Sequence, residues 1–124
     1  GLSEYSKFFD ELNPNYEKSA EYNLLFLRAQ QAYANDKLRV DGYLFLNDVY
    51  DMLGIPRTVA GQSVGWIYDI NNPNHSGDNY IDFGILELSK RDARNFSDSG
   101  YDRCWLLDFN VDGPILNKVN LEEI

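Results

Sequence analysis

The sequence predicts an α+β fold in which N-terminal helices pack on a C-terminal antiparallel β-sheet. Over residues 15–38, apolar side chains recur every three or four positions, which is the period of a helix. After Gly61 the period becomes that of strands, with β-branched and aromatic runs between turn residues. Because helices come first and strands follow without alternation, an antiparallel sheet is favoured over a parallel one. We expect one domain over residues 1–124, helical at about 15–62 and β-rich at about 63–119.

The first predicted helix, residues 15–38, carries an apolar stripe that we expect to face the core. The stripe consists of Tyr22, Leu25, Phe26, Ala29, Ala32 and Tyr33. Leu24, Leu27 and Ala34 widen it, so we expect this helix to be buried on more than one side. Asn15 or Ser19 can cap the start of this helix, because their side-chain oxygens accept hydrogen bonds from free backbone N–H groups. Gly42 is a typical stop, since glycine readily adopts the left-handed conformation that ends a helix.

Two shorter elements flank this helix. Residues 1–14 hold an aromatic cluster and fit either a short helix or an extended arm. The later part of residues 43–53 predicts a second helix, which Gly54 ends. Its shared apolar face comprises Leu46, Val49, Tyr50 and Leu53. Thr58 is expected to cap one further turn of helix.

Four strand-like runs and one hairpin are predicted in the second half of the chain. The runs are residues 64–68, 80–88, 104–111 and 115–119. Asp112-Gly113 is a strong hairpin signal, so the last two runs should pair with each other. A short charged helix is expected at 90–96, followed by a turn at 97–100. Cys104, the only cysteine, is expected to be a small core residue, and an intrachain disulfide is excluded.

The charge balance narrows the classes of partner. Twenty acidic residues against eleven basic ones give a formal net charge of −9. A field of that sign repels phosphate backbones and anionic lipid surfaces, which disfavours nucleic-acid and peripheral membrane binding. Basic protein partners and divalent cations fit this charge, although acidity also serves solubility alone. No apolar run is long enough to span a membrane, and the start at Gly1 rather than Met indicates a trimmed chain.

Asp108, Asn110 and Asp112 fit the first half of a calcium-binding loop. Carboxylate and amide oxygens at these positions converge on a hard cation, and the following Gly113 turns the chain. The match stops before position twelve, where Val119 replaces the bidentate carboxylate. The sequence therefore predicts either a cation site, with calcium as the only cofactor it suggests, or a plain hairpin turn.

The polar loop between the first two strands is a second candidate site. Its candidate binding residues are Asp69, Asn71, Asn74, His75 and Asp78. Long loops on rigid sheets often carry recognition, but Asn, Asp and Pro are also the residues of a plain connection. His75, the sole histidine, is expected to be exposed, and the polar residues are expected to lie in turns rather than in one pocket. The aromatic segments 66–68 and 80–83 fit either a core or a stacking platform for sugars or peptides.

No motif in the chain indicates an enzyme. Neither of the glycine-rich phosphate-binding patterns occurs, and no G-x-S-x-G nucleophile elbow accompanies His75. A zinc site at His75 would lack further histidine or cysteine ligands nearby. Twenty acidic residues make some pair of carboxylates inevitable, so their presence is no sign of glycoside hydrolysis. We therefore expect a protein that is not an enzyme.

Several longer motifs have a distinctive order of amino acids. They are Tyr22-Asn23-Leu24 to Ala34-Asn35-Asp36, residues 45–54, Val64-Gly65-Trp66, residues 78–83 and residues 107–113. With these motifs the chain resembles a family of uncharacterised proteins, a domain of unknown function, from bacteriophages and Gram-positive gut bacteria. The resemblance spans roughly residues 20–117 and carries no mechanism, so it implies no site residue. Similar proteins often have an apolar N-terminal segment, which implies a membrane-tethered full-length protein.

These observations lead to one preferred function and two alternatives. The preferred function is a non-enzymatic protein-interaction domain of phage or mobile-element origin, cytoplasmic or membrane-tethered in its full form. One alternative is a domain stabilised by calcium at Asp108, Asn110 and Asp112. The other is an acidic mimic of DNA that occupies a basic groove of a host protein. Neither the identity of the partner nor the oligomeric state follows from the sequence.

Overall fold

The described part of the chain combines helices with two small sheets. The structure, a computed structural model, describes residues 2–89 and 103–119. Over these residues the fold is α+β, as the sequence predicts, with two helices and two antiparallel sheets. In chain order the elements are β1 (Lys7–Phe9), α1 (Ala20–Asp41), β2 (Tyr43–Phe45), α2 (Leu46–Leu53), β3 (Val64–Ile67), β4 (Leu86–Ser89), β5 (Arg103–Leu107) and β6 (Gly113–Pro114). The helix and turn expected at 90–100 lie outside the described residues. Within those residues, no helix has both the length and the apolar character needed to cross a bilayer.

Each sheet combines strands from both halves of the chain. One sheet has the order β1-β5-β4 and the other β2-β3-β6, and every neighbouring pair is antiparallel. The expectation of one sheet built from the C-terminal half is therefore wrong. The N-terminal arm is extended and pairs with β5, where Phe9 and Trp105 are register partners and both side chains are fully buried. Aromatic side chains of the arm leave water only by packing on another element, which explains this long-range pairing.

Helix α1 is capped at both ends as the sequence predicts. The Ser19 hydroxyl oxygen accepts a hydrogen bond from the backbone N–H of Tyr22 at 3.2 Å. At the other end, Gly42 has a φ of 86° and its N–H donates to the carbonyl oxygen of Leu38. The cap predictions for Ser19 and Gly42 are therefore confirmed.

The face that α1 turns to the core differs from the expected one. The buried side chains of α1 are Asn23, Leu27, Ala34 and Leu38. Most of the expected core stripe faces solvent: Tyr22, Leu25, Ala29, Ala32 and Tyr33 are exposed. Of the residues expected to widen the stripe, Leu27 and Ala34 are buried and Leu24 is partly buried, so that part of the prediction is confirmed. The core-facing row also includes the polar Asn23. Its side chain exchanges two hydrogen bonds with the backbone of Glu17, at 2.7 and 2.9 Å, and can therefore be buried.

Helix α2 and the turn after it follow the sequence prediction closely. The side chains of the expected face are all 0% exposed: Leu46, Val49, Tyr50 and Leu53. Gly54 ends the helix at a φ of 76°. The Thr58 hydroxyl oxygen accepts a hydrogen bond from the N–H of Gly61 at 3.0 Å, at the start of a 3-10 turn. The same core cluster includes the fully buried Trp66 and Trp105, and Cys104 is buried as expected.

The predicted hairpin at Asp112-Gly113 is wrong. Strand β5 ends at Leu107, and β6 pairs instead with β3, where Gly65 is the register partner of Gly113. The backbone N–H of Asp112 donates to the Gly65 carbonyl oxygen at 2.9 Å, which commits this stretch to β3 rather than to β5. Residues 116–118 form a 3-10 turn and not a return strand. The run expected at 80–88 becomes a strand only from Leu86. Before that point, side chains of helix α1 bind the backbone of residues 81 and 83 in place of a neighbouring strand.

Candidate functional site

Asn110 joins the two sites that the sequence predicts separately. Its side-chain Nδ2 donates to the Asp78 carboxylate and to the Tyr80 carbonyl oxygen, both at 3.0 Å. Its Oδ1 accepts a hydrogen bond from the backbone N–H of Asp82 at 2.7 Å. The backbone N–H of Asn110 in turn donates to the Asp82 carbonyl oxygen at 3.1 Å. One residue therefore holds the polar loop against the segment with the partial calcium-loop pattern.

Trp66 holds Asn110 from the core. This tryptophan lies in β3, is 0% exposed, and donates through Nε1 to the Oδ1 and the carbonyl oxygen of Asn110, at 2.9 and 3.0 Å. The carboxamide of Asn110 thus has protein partners for its oxygen and for its nitrogen. Because Trp66 and Phe83 are both fully buried, these two rings belong to the core and not to a stacking platform.

Helix α1 anchors the end of the loop. The Asn35 side chain forms two hydrogen bonds with the backbone of Ile81, one to its N–H and one to its carbonyl oxygen, each at 2.8 Å. The Gln31 Oε1 accepts a hydrogen bond from the N–H of Phe83 at 2.8 Å. Side-chain amides therefore replace a neighbouring strand here, which explains why the β-branched and aromatic residues before Leu86 form no ladder.

His75 of the loop and Asp112 form a largely buried pair. Their side chains are 10% and 11% exposed, and His75 Nε2 lies 3.9 Å from Asp112 Oδ2. The expectation of an exposed histidine is therefore wrong, because the loop places the imidazole beside the carboxylate. Asp112 Oδ2 accepts a hydrogen bond from the N–H of Ile67 at 2.9 Å, whereas His75 Nε2 has no hydrogen-bond partner among residues 2–89 and 103–119. Burial raises the pKa of the Asp112 carboxyl, and the Ile67 N–H and the charge of Lys118 oppose that rise.

A polar cavity of about 350 Å³ opens beside this pair. Its lining residues are Ile67, Asp69, Asn72, Asn74, His75, Ser76 and Lys118. Three of the five predicted loop residues, Asp69, Asn74 and His75, thus line one cavity, contrary to the expectation of separate turns. Asn71 is exposed and does not line the cavity, and Asp78 is bound by Asn110.

The three residues of the partial calcium pattern each have a different protein donor. Asp108 Oδ1 accepts a hydrogen bond from the N–H of Ser3 at 3.1 Å. Asn110 binds the loop and Trp66, and Asp112 accepts from the N–H of Ile67. Among the described residues, no group of three or more His, Cys, Asp or Glu side chains is placed to hold a metal ion. Calcium binding stays a prediction of the sequence.

Sequence reasoning missed the residues that fix the loop in place. Gln31 and Asn35 lie in the predicted first helix, where the sequence predicts no site residue. Lys118 lines the cavity from the far end of the chain. A usable signal exists for Asn35 alone, since an asparagine in a long helix has low propensity and therefore another role. Gln31 and Lys118 are too far from their partners in the sequence for a local pattern to reveal their role.

Comparison with known proteins places the chain in a family. No curated protein and no solved structure gives a significant match. A family model matches residues 1–119, which is nearly the whole chain and includes every residue of the loop, the cavity and their anchors. The chain therefore belongs to DUF6353, a family of unknown function.

Proposed function

We propose that the chain is a non-enzymatic protein-interaction module whose recognition surface is the loop at residues 69–82. The observation that carries this proposal is the contrast between a fixed backbone and exposed apolar side chains. Asn35 and Asn110 bind the loop backbone, while Ile70 and Tyr80 remain 62% and 51% exposed. Functional residues often lie on loops that a rigid scaffold holds in place, and these two side chains give such a loop apolar contacts to offer a partner.

Hydrogen bonds inside the loop add to its rigidity. The Asn79 Oδ1 accepts from the N–H of Asp69 at 2.8 Å, across the base of the loop. The Asn72 side chain donates to the Asp69 carboxylate at 3.0 Å and accepts from the N–H of Asn74 at 2.9 Å. A loop that is already ordered loses little conformational entropy when it binds, so more of the contact energy contributes to affinity.

The charge of the loop indicates the chemistry of its partner. Residues 69–82 contain three aspartates and no lysine or arginine, within a chain of net charge −9. A basic protein segment complements this surface and is attracted to it over a long range. Tyr80 adds a half-exposed ring on which an arginine guanidinium can stack. A phage or mobile-element origin is part of this proposal, and a partner encoded by a bacterial host fits that origin.

A library of arginine-containing peptides tests the proposal. Binders selected on the purified domain are titrated against Tyr80→Ala and Ile70→Ala, each of which we expect to weaken binding at least about fivefold. Phe8→Ala and Val59→Ala are matched controls, because those side chains are 55% and 83% exposed and lie outside the loop. Equal losses in the loop and control variants would place recognition elsewhere. Turnover of any compound in a substrate panel would contradict the non-enzymatic assignment.

A further inference from the structure

The polar cavity beside the His75–Asp112 pair is small, and part of its wall is ordered by the backbone. Its volume of about 350 Å³ is at the small end of ligand pockets, which usually measure roughly 300–1,000 Å³. The backbone N–H of His75 donates to the Asn72 carbonyl oxygen at 3.1 Å, and the N–H of Asn72 donates to the Asp69 carbonyl oxygen at 3.2 Å. Two successive turns therefore hold a wall around a space that suits one side chain.

Asp69 supplies a fixed carboxylate to this cavity. Its Oδ2 accepts a hydrogen bond from the Asn72 side chain at 3.0 Å, and its backbone N–H donates to Asn79 at 2.8 Å. The contact with Asn72 uses one carboxylate oxygen, so a ligand can bind the other. No lysine or arginine among residues 2–89 and 103–119 forms an ion pair with Asp69.

His75 contributes a hydrogen-bond acceptor to the same cavity. Its side chain is 10% exposed, and Nε2 lies 3.9 Å from Asp112 Oδ2 without a hydrogen-bond partner within the described ranges. A neutral imidazole carries its proton on one nitrogen and has a lone pair on the other. Because the Asp112 carboxylate attracts an N–H dipole and repels a lone pair, the proton belongs on Nε2. Nδ1 is then the bare nitrogen of a ring that lines the cavity.

The charges around the cavity favour a cation as its ligand. Lys118 lines the cavity and is exposed, and its charge acts on the Asp112 carboxylate, whose pKa it lowers. This one positive charge is set against two carboxylates, Asp69 in the cavity wall and Asp112 beside His75. Since the whole chain carries a net charge of −9, the field around the cavity attracts cations rather than anions.

We propose that this cavity binds the guanidinium group of an arginine side chain, with the Asp69 carboxylate and His75 Nδ1 as its acceptors. A guanidinium has five N–H donors and no acceptor, so it matches a wall that offers acceptors at separate points. An ammonium group concentrates its donors on a single atom and reaches fewer of them. The inference rests on the proposed function, because the arginine belongs to the basic segment that the loop recognises.

Titration with N-acetyl-arginine amide, a blocked arginine, tests the cavity without the rest of a partner. We expect saturable binding to the whole chain with a Kd of about 1–10 mM, as befits a single side chain. N-acetyl-citrulline amide has a similar shape without the charge and should bind at least about tenfold more weakly. N-acetyl-lysine amide should bind at least about threefold more weakly. No saturation up to about 50 mM, or equal binding of the citrulline compound, would overturn the inference.

Two substitutions with opposite expected effects locate the site. Asp69→Asn keeps an oxygen for Asn72 but removes the charge, so blocked arginine should bind at least about fivefold more weakly. Lys118→Met removes a competing cation, so binding should become at least about twofold tighter. Asp82→Asn is the matched control, because it makes the same charge change in the same loop outside the cavity lining. Weaker binding in Lys118→Met, or equal losses in Asp69→Asn and Asp82→Asn, would exclude this site.

The imidazole nitrogens of His75 give a readout that a general charge effect would not move. In a nitrogen NMR spectrum at about pH 8, we expect the proton on Nε2 and a displacement of the Nδ1 signal when blocked arginine is added. A proton on Nδ1, or an Nδ1 signal that blocked arginine leaves in place, would contradict the proposed role of His75.

The cavity and the recognition surface fail in different experiments. If selected peptides bind through Ile70 and Tyr80 while Asp69→Asn leaves the binding of blocked arginine unchanged, the cavity assignment is wrong and the recognition loop stands. If blocked arginine binds at Asp69 while no selected peptide depends on Ile70 or Tyr80, the recognition surface is wrong and the cavity remains an arginine site.

Discussion

The carboxamide of Asn35 forms two hydrogen bonds with the backbone of Ile81, as a neighbouring strand would. The same two-bond contact occurs between Asn23 and Glu17, and between Asn47 and Thr58. In each case a helical asparagine satisfies the N–H and the carbonyl oxygen of an irregular segment. The chain therefore uses asparagine side chains where other folds use extra strands.

Asn35→Ala should loosen the end of the recognition loop. The substitution leaves the N–H and the carbonyl oxygen of Ile81 without their partner, which we expect to destabilise the fold by about 1–3 kcal/mol. Hydrogen exchange at the Ile81 amide should accelerate, whereas the Phe83 amide, which donates to Gln31, serves as an internal reference. Arg28→Ala, at an exposed position of the same helix, should change stability by less than about 0.5 kcal/mol. Unaltered exchange at Ile81 would contradict the anchoring role.

Asn110→Ala should change the NMR signal of one tryptophan indole and leave the signal of the other unchanged. Trp66 Nε1 donates to Asn110, whereas Trp105 Nε1 is buried and has no hydrogen-bond partner in the described part of the chain. We therefore expect the Trp66 indole N–H signal to shift in an NMR spectrum, while the Trp105 signal stays in place. The free energy of unfolding should fall by about 1–3 kcal/mol, because polar groups around Asn110 lose their partner. Asn71→Ala, at an exposed loop position, is the control.

Gly77→Ala should disturb the His75–Asp112 pair by steric contact. A Cβ at residue 77 would come within 2.5 Å of Asp112 Oδ1, closer than packed atoms tolerate. We expect a loss of about 1–3 kcal/mol in urea unfolding, as for other overpacked sites. In the Asp112→Gly background the same change should cost much less, and this difference between the two backgrounds is the decisive measurement. Equal costs would show that Gly77 does not press on Asp112.

Tyr50 should make the protein less stable as the pH rises in the alkaline range. Its hydroxyl donates to the Tyr5 carbonyl oxygen at 2.8 Å, and burial raises the pKa of Tyr50 to about 12. In the unfolded chain a tyrosine loses its proton near pH 10, so the folded state holds a proton that the unfolded state releases. The contribution of Tyr50 to the free energy of unfolding is therefore fully present below about pH 10. About 2–3 kcal/mol of it is lost as the pH rises to about 12.

The variant Tyr50→Phe isolates this effect. It removes the ionising group while keeping most of the buried ring, so the difference in unfolding free energy between wild type and variant should fall between about pH 10 and pH 12. A constant difference over that range would show that Tyr50 does not carry the pH dependence.

Calcium should leave the melting temperature unchanged. The oxygens of Asp108 and Asp112 accept hydrogen bonds from Ser3 and Ile67, and Asn110 is occupied by Trp66 and the loop. A cation would have to displace these donors, and a ligand that binds the native state raises its stability. We compare thermal unfolding in about 5 mM calcium chloride with unfolding in a chelator. A rise in the wild type that Asp108→Asn abolishes would instead establish the site that the motif predicts.

Sequence patterns predicted those elements whose signals are local. The face of α2 has a strong helical period and a glycine stop at Gly54, and both are confirmed. The caps at Ser19 and Gly42 are likewise local, because the cap and the groups it satisfies lie within a few residues. Fold class followed from the change of period near residue 61.

The rest depends on contacts that are distant in sequence. Periodicity identified the apolar stripe of α1, but it cannot say whether the same chain covers that stripe. The dipeptide Asp112-Gly113 is typical of hairpin turns, yet its backbone forms a hydrogen bond with Gly65 in β3. The site itself depends on Asn35 and Trp66, which are separated from their partners by 46 and 44 residues.

The pairing of β4 with β5 has a practical consequence for handling this protein. Ser89 and Arg103 are register partners, so the end of β4 and the start of β5 lie at adjacent positions. Lengthening the connection between two fixed neighbouring ends costs only loop-closure entropy, which grows slowly with length. The register of Ser89 with Arg103 should therefore persist when an affinity tag, a protease site or a fluorescent reporter is inserted between them.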